Sequence, residues 1–182
     1  MIRLPMIQTE RLILREISIL DAVDMYEYSK DPLVGPLAGW APHRSIDESL
    51  GVIGMFLDAK KRGEPGVYAI VLKSANKMIG TIELYNHVPS YKAELGYSIA
   101  SKYWGQGYAT EAAKAVVDVG FKVLKLKRIE ASTYVDNYQS QRVCEKVGFQ
   151  KEGIARNGYL RYDGQIFDKL VYGITDEDYF NQ

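Results

Sequence analysis

The chain holds a single cysteine, Cys144, and two histidines, His43 and His87. One cysteine excludes an intramolecular disulfide and any CxxC metal spacing. The histidines lie far apart in sequence, so no histidine-rich cluster forms and no metal is expected. Charge of one sign is also lacking, since 23 Lys and Arg offset 23 Asp and Glu. Without a net field there is no global attraction for nucleic acid, so no DNA partner is expected and any anion site must be local. No apolar run approaches the roughly 20 residues that span a bilayer, so no membrane partner is expected. Arg3, Glu10 and Arg11 interrupt the first hydrophobics, unlike a secretory signal. A cytoplasmic protein is the expectation. The 182 residues, 47% of them hydrophobic and 25% charged, suit one globular domain spanning 1–182.

What is there centres on Ala93 to Ala112, AELGYSIASKYWGQGYATEA. Its first part nearly alternates and reads as a strand. Its last part is alanine-rich with helical spacing. Gly105, Gln106 and Gly107 lie between them. A strand feeding a glycine-rich turn that opens a helix presents free N–H groups to an anion, helped by the helix dipole. Glycine lets a phosphate approach the backbone without meeting a Cβ. The stretch therefore predicts a phosphate-bearing ligand at a strand end. A dinucleotide fold fits less well, because Ser101 to Trp104 separate the strand from the first glycine and Thr110 stands where a small residue is needed.

Along the chain, Ile7 to Ile17 reads as one strand. Ser18 and Asp21 form an approximate capping box for a helix that ends near Asp31-Pro32. Pro32 to Pro42 reads as a loop, and Ser45 opens a second helix with Leu50, Ile53, Gly54 and Leu57 at helical spacing. Val67 to Leu72 and Met78 to Tyr85 form a hairpin, and the strand at Ala93 extends it to a meander. The helix from about Gly107 to Leu124 places Ala109, Ala112, Val116, Val119 and Val123 on one face. Arg128 to Tyr134 is a strand parallel to the one before that helix, by a right-handed crossover. Asn137 caps a shorter helix that Gly148 stops, with Phe149 folding back. Phe149 to Arg156 and Ile166 to Ile174 close the chain as a hairpin. The fold class is α+β with a mixed, mostly antiparallel twisted sheet flanked by helices around a β-α-β core.

This order resembles the GNAT superfamily of acetyl-CoA-dependent N-acetyltransferases. Within it, TERLILREI near the N-terminus, IGTIELYN (Ile79 to Asn86), the glycine-turn stretch and NYQSQRVCEKVGF (Asn137 to Phe149) are most similar to the RimJ/RimL branch, whose members acetylate protein α-amines. The resemblance covers essentially the whole chain. It implies that acetyl-CoA is the donor and a protein N-terminus or small-molecule amine the acceptor, in a monomer or homodimer. Gly105, Gln106, Gly107, Tyr108, Ala109 and Thr110 would cradle the pyrophosphate. The backbone of Tyr97, Ser98 and Ile99 would pair with the pantetheine arm as an added strand does. Asn137 and Ser140 would stand near the thioester sulfur, with Ser140 as proton donor, and Arg142 and Lys146 would reach phosphate. Glu94 matches the general base of some family members, with Glu83 and Glu111 as weaker alternatives. Pro32 to Arg44, with Trp40, and the closing hairpin, with Tyr159, Arg161, Tyr162 and Asp163, would wall the acceptor pocket.

Two positions depart from the family pattern. Trp104 stands where the phosphate loop often opens with arginine or glutamine, which leaves phosphate binding mainly to the backbone. Cys144 stands at the frequent general-acid tyrosine. A lone cysteine could carry an acyl-enzyme, although in a short amphipathic helix it reads as core. A non-catalytic acyl-CoA-sensing module is the alternative from outside enzyme chemistry.

Overall fold

A computed structural model describes residues 4–181. Arg3, one of the charges near the N-terminus, lies outside them. Eight strands form one sheet in the order β1-β2-β3-β4-β5-β6-β8-β7. The expected first strand is two strands, β1 (Ile7–Gln8) and β2 (Leu12–Glu16). They pair antiparallel around a turn in which the Thr9 hydroxyl accepts the Leu12 N–H at 3.0 Å. A 3-10 turn then leads into α1 (Ala22–Ser29). The loop expected next contains a single helical turn, α2 (Gly35–Ala38), stopped by Gly39 at φ 95°. In α3 (Ile46–Lys61), the Ser45 hydroxyl accepts the Glu48 N–H at 3.2 Å, which caps one of the unpaired donors of the first turn.

The strands β3 (Val67–Leu72), β4 (Lys77–Val88) and β5 (Lys92–Ile99) form the meander. The crossover helix α4 (Tyr108–Lys122) packs on one sheet face through Ala112, Ala113, Val116, Val117 and Phe121. Val123 does not share that face. The helix ends one residue before it, and it is 50% exposed. Small residues bring the helix close, and a Cβ on Gly120 would sit 2.6 Å from the Ile129 side chain. The opposite face of the sheet is covered by α1 and α3 through Met25, Tyr28 and Ile53.

The sheet has one parallel seam, between β5 and β6 (Arg128–Tyr134). It lasts for only three pairs, Lys92 with Arg128, Ala93 with Ile129 and Glu94 with Glu130. Beyond Glu94, β5 follows β4 while β6 follows β8 (Ile166–Thr175), so the two strands part. The helix α5 (Tyr138–Val147) stands beside the opening, stopped by Gly148 at φ 106° with the Phe149 N–H returning to the Cys144 carbonyl at 3.0 Å. The strand β7 (Gln150–Leu160) runs further than expected and forms the sheet edge. A last helix, α6 (Asp176–Phe180), follows β8.

Candidate active site

The parting of β5 and β6 sets up the site. Where they separate, a cleft of about 350 Å³ opens between the end of β5, the start of α4 and α5. Gly105 and Gly107 turn the chain at φ 74° and 84°, a region that costs other residues strain. Gly107 caps α4 with no side chain accepting from the first turn. Among the described residues, the N–H groups from Gly105 to Thr110 donate to no protein acceptor. A Cβ on Gly105 would meet nothing within 4 Å, and one on Gly107 only the Arg11 guanidinium at 3.4 Å. The turn is therefore open to a large anion, with the dipole of α4 behind it.

Arg11 holds this turn from outside. Its guanidinium donates to the Gln106 carbonyl at 2.8 Å and to the Glu111 carboxylate at 2.7 Å, and it lies 4.3 Å from the centre of the Tyr108 ring. Glu111 also accepts the Arg11 N–H at 2.8 Å and the Thr9 hydroxyl at 2.6 Å. Those bonds outweigh the cost of its burial and lower its pKa. Glu111 thus ties α4 to β2, and Arg11 joins the site from 95 residues away from Gln106.

Of the residues the sequence nominates, Tyr97, Ser98 and Ile99 line the cleft, as do Trp104, Gly105, Gly107, Tyr108, Ala109 and Thr110. Asn137, Ser140, Arg142 and Lys146 line it from α5. Gln106 turns away, its side chain donating to the Lys102 carbonyl at 3.2 Å. The Trp104 indole N–H donates to the Ile99 carbonyl at 2.8 Å, which pins the strand end to the turn. Asn137 accepts the Ser140 N–H at 3.3 Å, and the Tyr97 hydroxyl donates to Ser140 Oγ at 3.0 Å.

A second cavity, of about 120 Å³, lies deeper in the opening. Tyr85, Gly96, Ser132, Tyr134, Tyr159 and Lys169 line it. The two cavities share Leu37, Ala38, Tyr97, Asn137, Ser140 and Val143 as a common wall. The Tyr159 hydroxyl donates to the Gly39 carbonyl at 3.3 Å, so the closing hairpin and α2 meet across the mouth. Trp40 and Arg161 line neither cavity. Trp40 lies beside His43 with the rings tilted at 45° and packs on the α1–α3 core, and Arg161 pairs with Asp163 at 2.6 Å.

Glu94 lines neither cavity. It accepts the Tyr85 hydroxyl and the Asn86 side chain, each at 3.0 Å, so Tyr85 stands between it and the inner cavity. Burial, with the Glu94 and Glu83 charges, keeps the Tyr85 phenol protonated. Glu83 faces Gly96 across the β4–β5 ladder. Burial and the nearby Glu64 carboxylate raise its pKa to about 7. Cys144 is 4% exposed, and burial pushes its thiol up to about 12, so it is core and not a ready nucleophile.

A family model described as an acetyltransferase (GNAT) domain matches residues 11–150. The chain belongs to the GNAT acetyltransferase family. This GNAT chain is 35% identical over 174 residues to the N-acetyltransferase YoaA of Bacillus subtilis, covering 94% of this chain and 97% of that one. It is 29% identical over 180 residues to the ribosomal protein uS5 alanine N-acetyltransferase of Escherichia coli, covering 94% and 91%. Among solved structures, a GNAT acetyltransferase from Bacillus anthracis superposes with a TM-score of 0.83 at 28% identity, covering 95% of this chain and 99% of that one. The ribosomal-protein-S5-alanine acetyltransferase of Vibrio fischeri gives 0.80 at 27% identity, covering 96% and 98%. The GNAT chain is an acyltransferase, and enzymes of its family use acetyl-CoA.

Proposed function

We propose that this GNAT enzyme transfers an acetyl group from acetyl-CoA to a primary amine, on a protein N-terminus or a small molecule, by direct attack in a ternary complex. The carrying observation is the pair of cavities meeting at one wall below the parted strands, with unpaired N–H donors at the outer end. The outer cleft fits coenzyme A. The Gly105–Thr110 backbone would hold the pyrophosphate, Arg142 and Lys146 would add charge, and the open edge of β5 would pair with the pantetheine amides. When bound, acetyl-CoA supplies an acetyl group already activated as a thioester.

The remaining work falls to the chain. On the open edge of β5, Ile99 offers its N–H to the developing oxyanion, since the neighbouring Ala100 N–H is spent on the Ile79 carbonyl of β4. Glu94 draws a proton from the amine through the Tyr85 hydroxyl, and Ser140 returns one to the departing thiolate. An α-amine at neutral pH needs little help. Its pKa lies about one unit above 7, a cost near 1.4 kcal/mol, whereas a lysine amine must cover about three units. The α6 segment and Glu83 take no part in these steps.

The test is thiol release from acetyl-CoA with a panel of amines, beside calorimetric titration with coenzyme A. Micromolar binding and amine-dependent release are expected. Binding without release for any amine would instead favour an acyl-CoA-sensing module.

A further inference from the structure

We infer that Tyr97 is the positioning residue for thioester cleavage, its hydroxyl fixing Ser140 as the donor of the proton taken up by the leaving thiolate. This rests on the acetyl-transfer reading above and concerns the same wall. Tyr97 lies just past the last parallel pair, on the part of β5 that no longer touches β6. Its side chain crosses the opening to α5, where the hydroxyl donates to Ser140 Oγ at 3.0 Å. Asn137 holds the Ser140 N–H from the other side at 3.3 Å. Ser140 is therefore anchored at main chain and side chain, in the wall that both cavities share.

The direction of this hydrogen bond decides the chemistry. The Tyr97 hydroxyl is the donor, and burial, which pushes the phenol up to about 12, keeps its proton in place at neutral pH. One lone pair of Ser140 Oγ is then filled by Tyr97. The serine's own proton is left for another acceptor, and Ser140 lines both cavities. Cys144, one turn further along α5, cannot take the role, because it is buried and lines only the inner cavity.

The step balances as follows. The amine lone pair forms the C–N bond, and the C–S bond breaks with its electron pair going to sulfur. The Ser140 proton passes to sulfur and the Tyr97 proton passes to Ser140 Oγ. The tyrosinate regains a proton from water, and the nitrogen loses its surplus proton to the Tyr85–Glu94 side. Serine alone would be left as an alkoxide, a far stronger base than the thiolate it protonates. With Tyr97 behind it, the negative charge comes to rest on a phenol oxygen.

The experiment compares Tyr97→Phe, Ser140→Ala and the double variant in single turnovers at saturating acetyl-CoA and amine, with coenzyme A affinity measured separately. Each single variant is expected to slow turnover roughly tenfold to hundredfold. The double variant should be no slower than Ser140→Ala within about twofold, since Tyr97 acts only through Ser140. Coenzyme A affinity should stay within about twofold of the parent. Rates in mixtures of light and heavy water should bow for the parent and fall on a straight line for Tyr97→Phe, a change that loss of packing would not cause. A parental rate in Tyr97→Phe, or single effects that multiply in the double variant, would overturn the inference and leave acetyl transfer standing. A parent that binds coenzyme A but acetylates no amine would remove the reaction itself, and this inference with it.

Discussion

Two carboxylates on neighbouring strands show how much a residue's setting matters. Glu94 has a phenol and an amide as partners, whereas Glu83 has burial and a like charge. A desolvated carboxyl is held protonated, so its raised pKa is a statement about stability. The unfolded chain ionises Glu83 near 4.5, and the folded chain near 7. Its contribution is complete at low pH and is lost as pH rises between those values. Glu83→Gln should therefore flatten the pH dependence of the urea midpoint across that window and stabilise the fold at pH 8 by on the order of 2 kcal/mol. For Glu94→Gln the expected outcome is kinetic. Turnover with an α-amine at pH 7 should fall roughly tenfold to hundredfold, and the deficit should shrink at pH 9, where the amine deprotonates unaided. An undiminished rate at pH 7 would remove Glu94 as the proton acceptor.

At the scale of elements, the proposed ligand geometry rests on the turn before α4 and the cap of α5. Gly107→Glu should abolish coenzyme A binding by placing a carboxylate where the phosphates go. The left-handed conformation at φ 84° adds strain of about 1–2 kcal/mol, and circular dichroism should still report a folded protein. Retained affinity would mean that the anion binds elsewhere. Asn137→Ala should cost about 1 kcal/mol of stability through the lost cap and should lower kcat as Ser140 loses its backbone anchor. A stability loss with unchanged kcat would reduce Asn137 to a helix cap.

The elements were legible where their signals are local. Ser45, Asn137 and Gly148 mark helix ends by chemistry that spans three or four residues. The break at Thr9 was not legible, because it depends on β1 folding back on β2. The turn of α2 lies among glycines and prolines that read as loop. The box of Thr175 and Asp178 that starts α6 was in plain view and could have been read. Within the site, the glycine turn was visible from its own residues, and the α5 residues through the resemblance of NYQSQRVCEKVGF to the family. The contacts of Arg11 with Glu111, Tyr97 with Ser140 and Tyr85 with Glu94 were not, since each needs strand register or a long-range approach that no local pattern encodes.

At the scale of the whole molecule, two regions meet at a short seam. One is built on β1 to β5 with α4, and the other on β6, β8, β7 and α5, and three parallel pairs join β5 to β6. The Tyr159–Gly39 contact and the α4–α5 packing add further links. Among the described residues no helix is long and apolar enough to cross a membrane. A ligand lying in the opening needs both regions folded to bind, and a ligand that binds only the folded chain adds its binding energy to the unfolding free energy. At one hundred times its dissociation constant, coenzyme A should stabilise the fold by about 2.7 kcal/mol. For a chain of this size that raises the thermal midpoint by roughly 5 to 10 °C. A scan showing no shift, under conditions where calorimetry detects binding, would mean that the ligand does not require the folded cleft.

The early end of the β5–β6 ladder means that this sheet is one strand short across its middle. In the reaction proposed above, the pantetheine arm would fill the missing row. Trypsin digestion with and without coenzyme A is the simplest way to see it. The nucleotide would work as a borrowed rib, and a protein deprived of it would be cut sooner. Its persistence would then track the supply of coenzyme A and its acetyl ester.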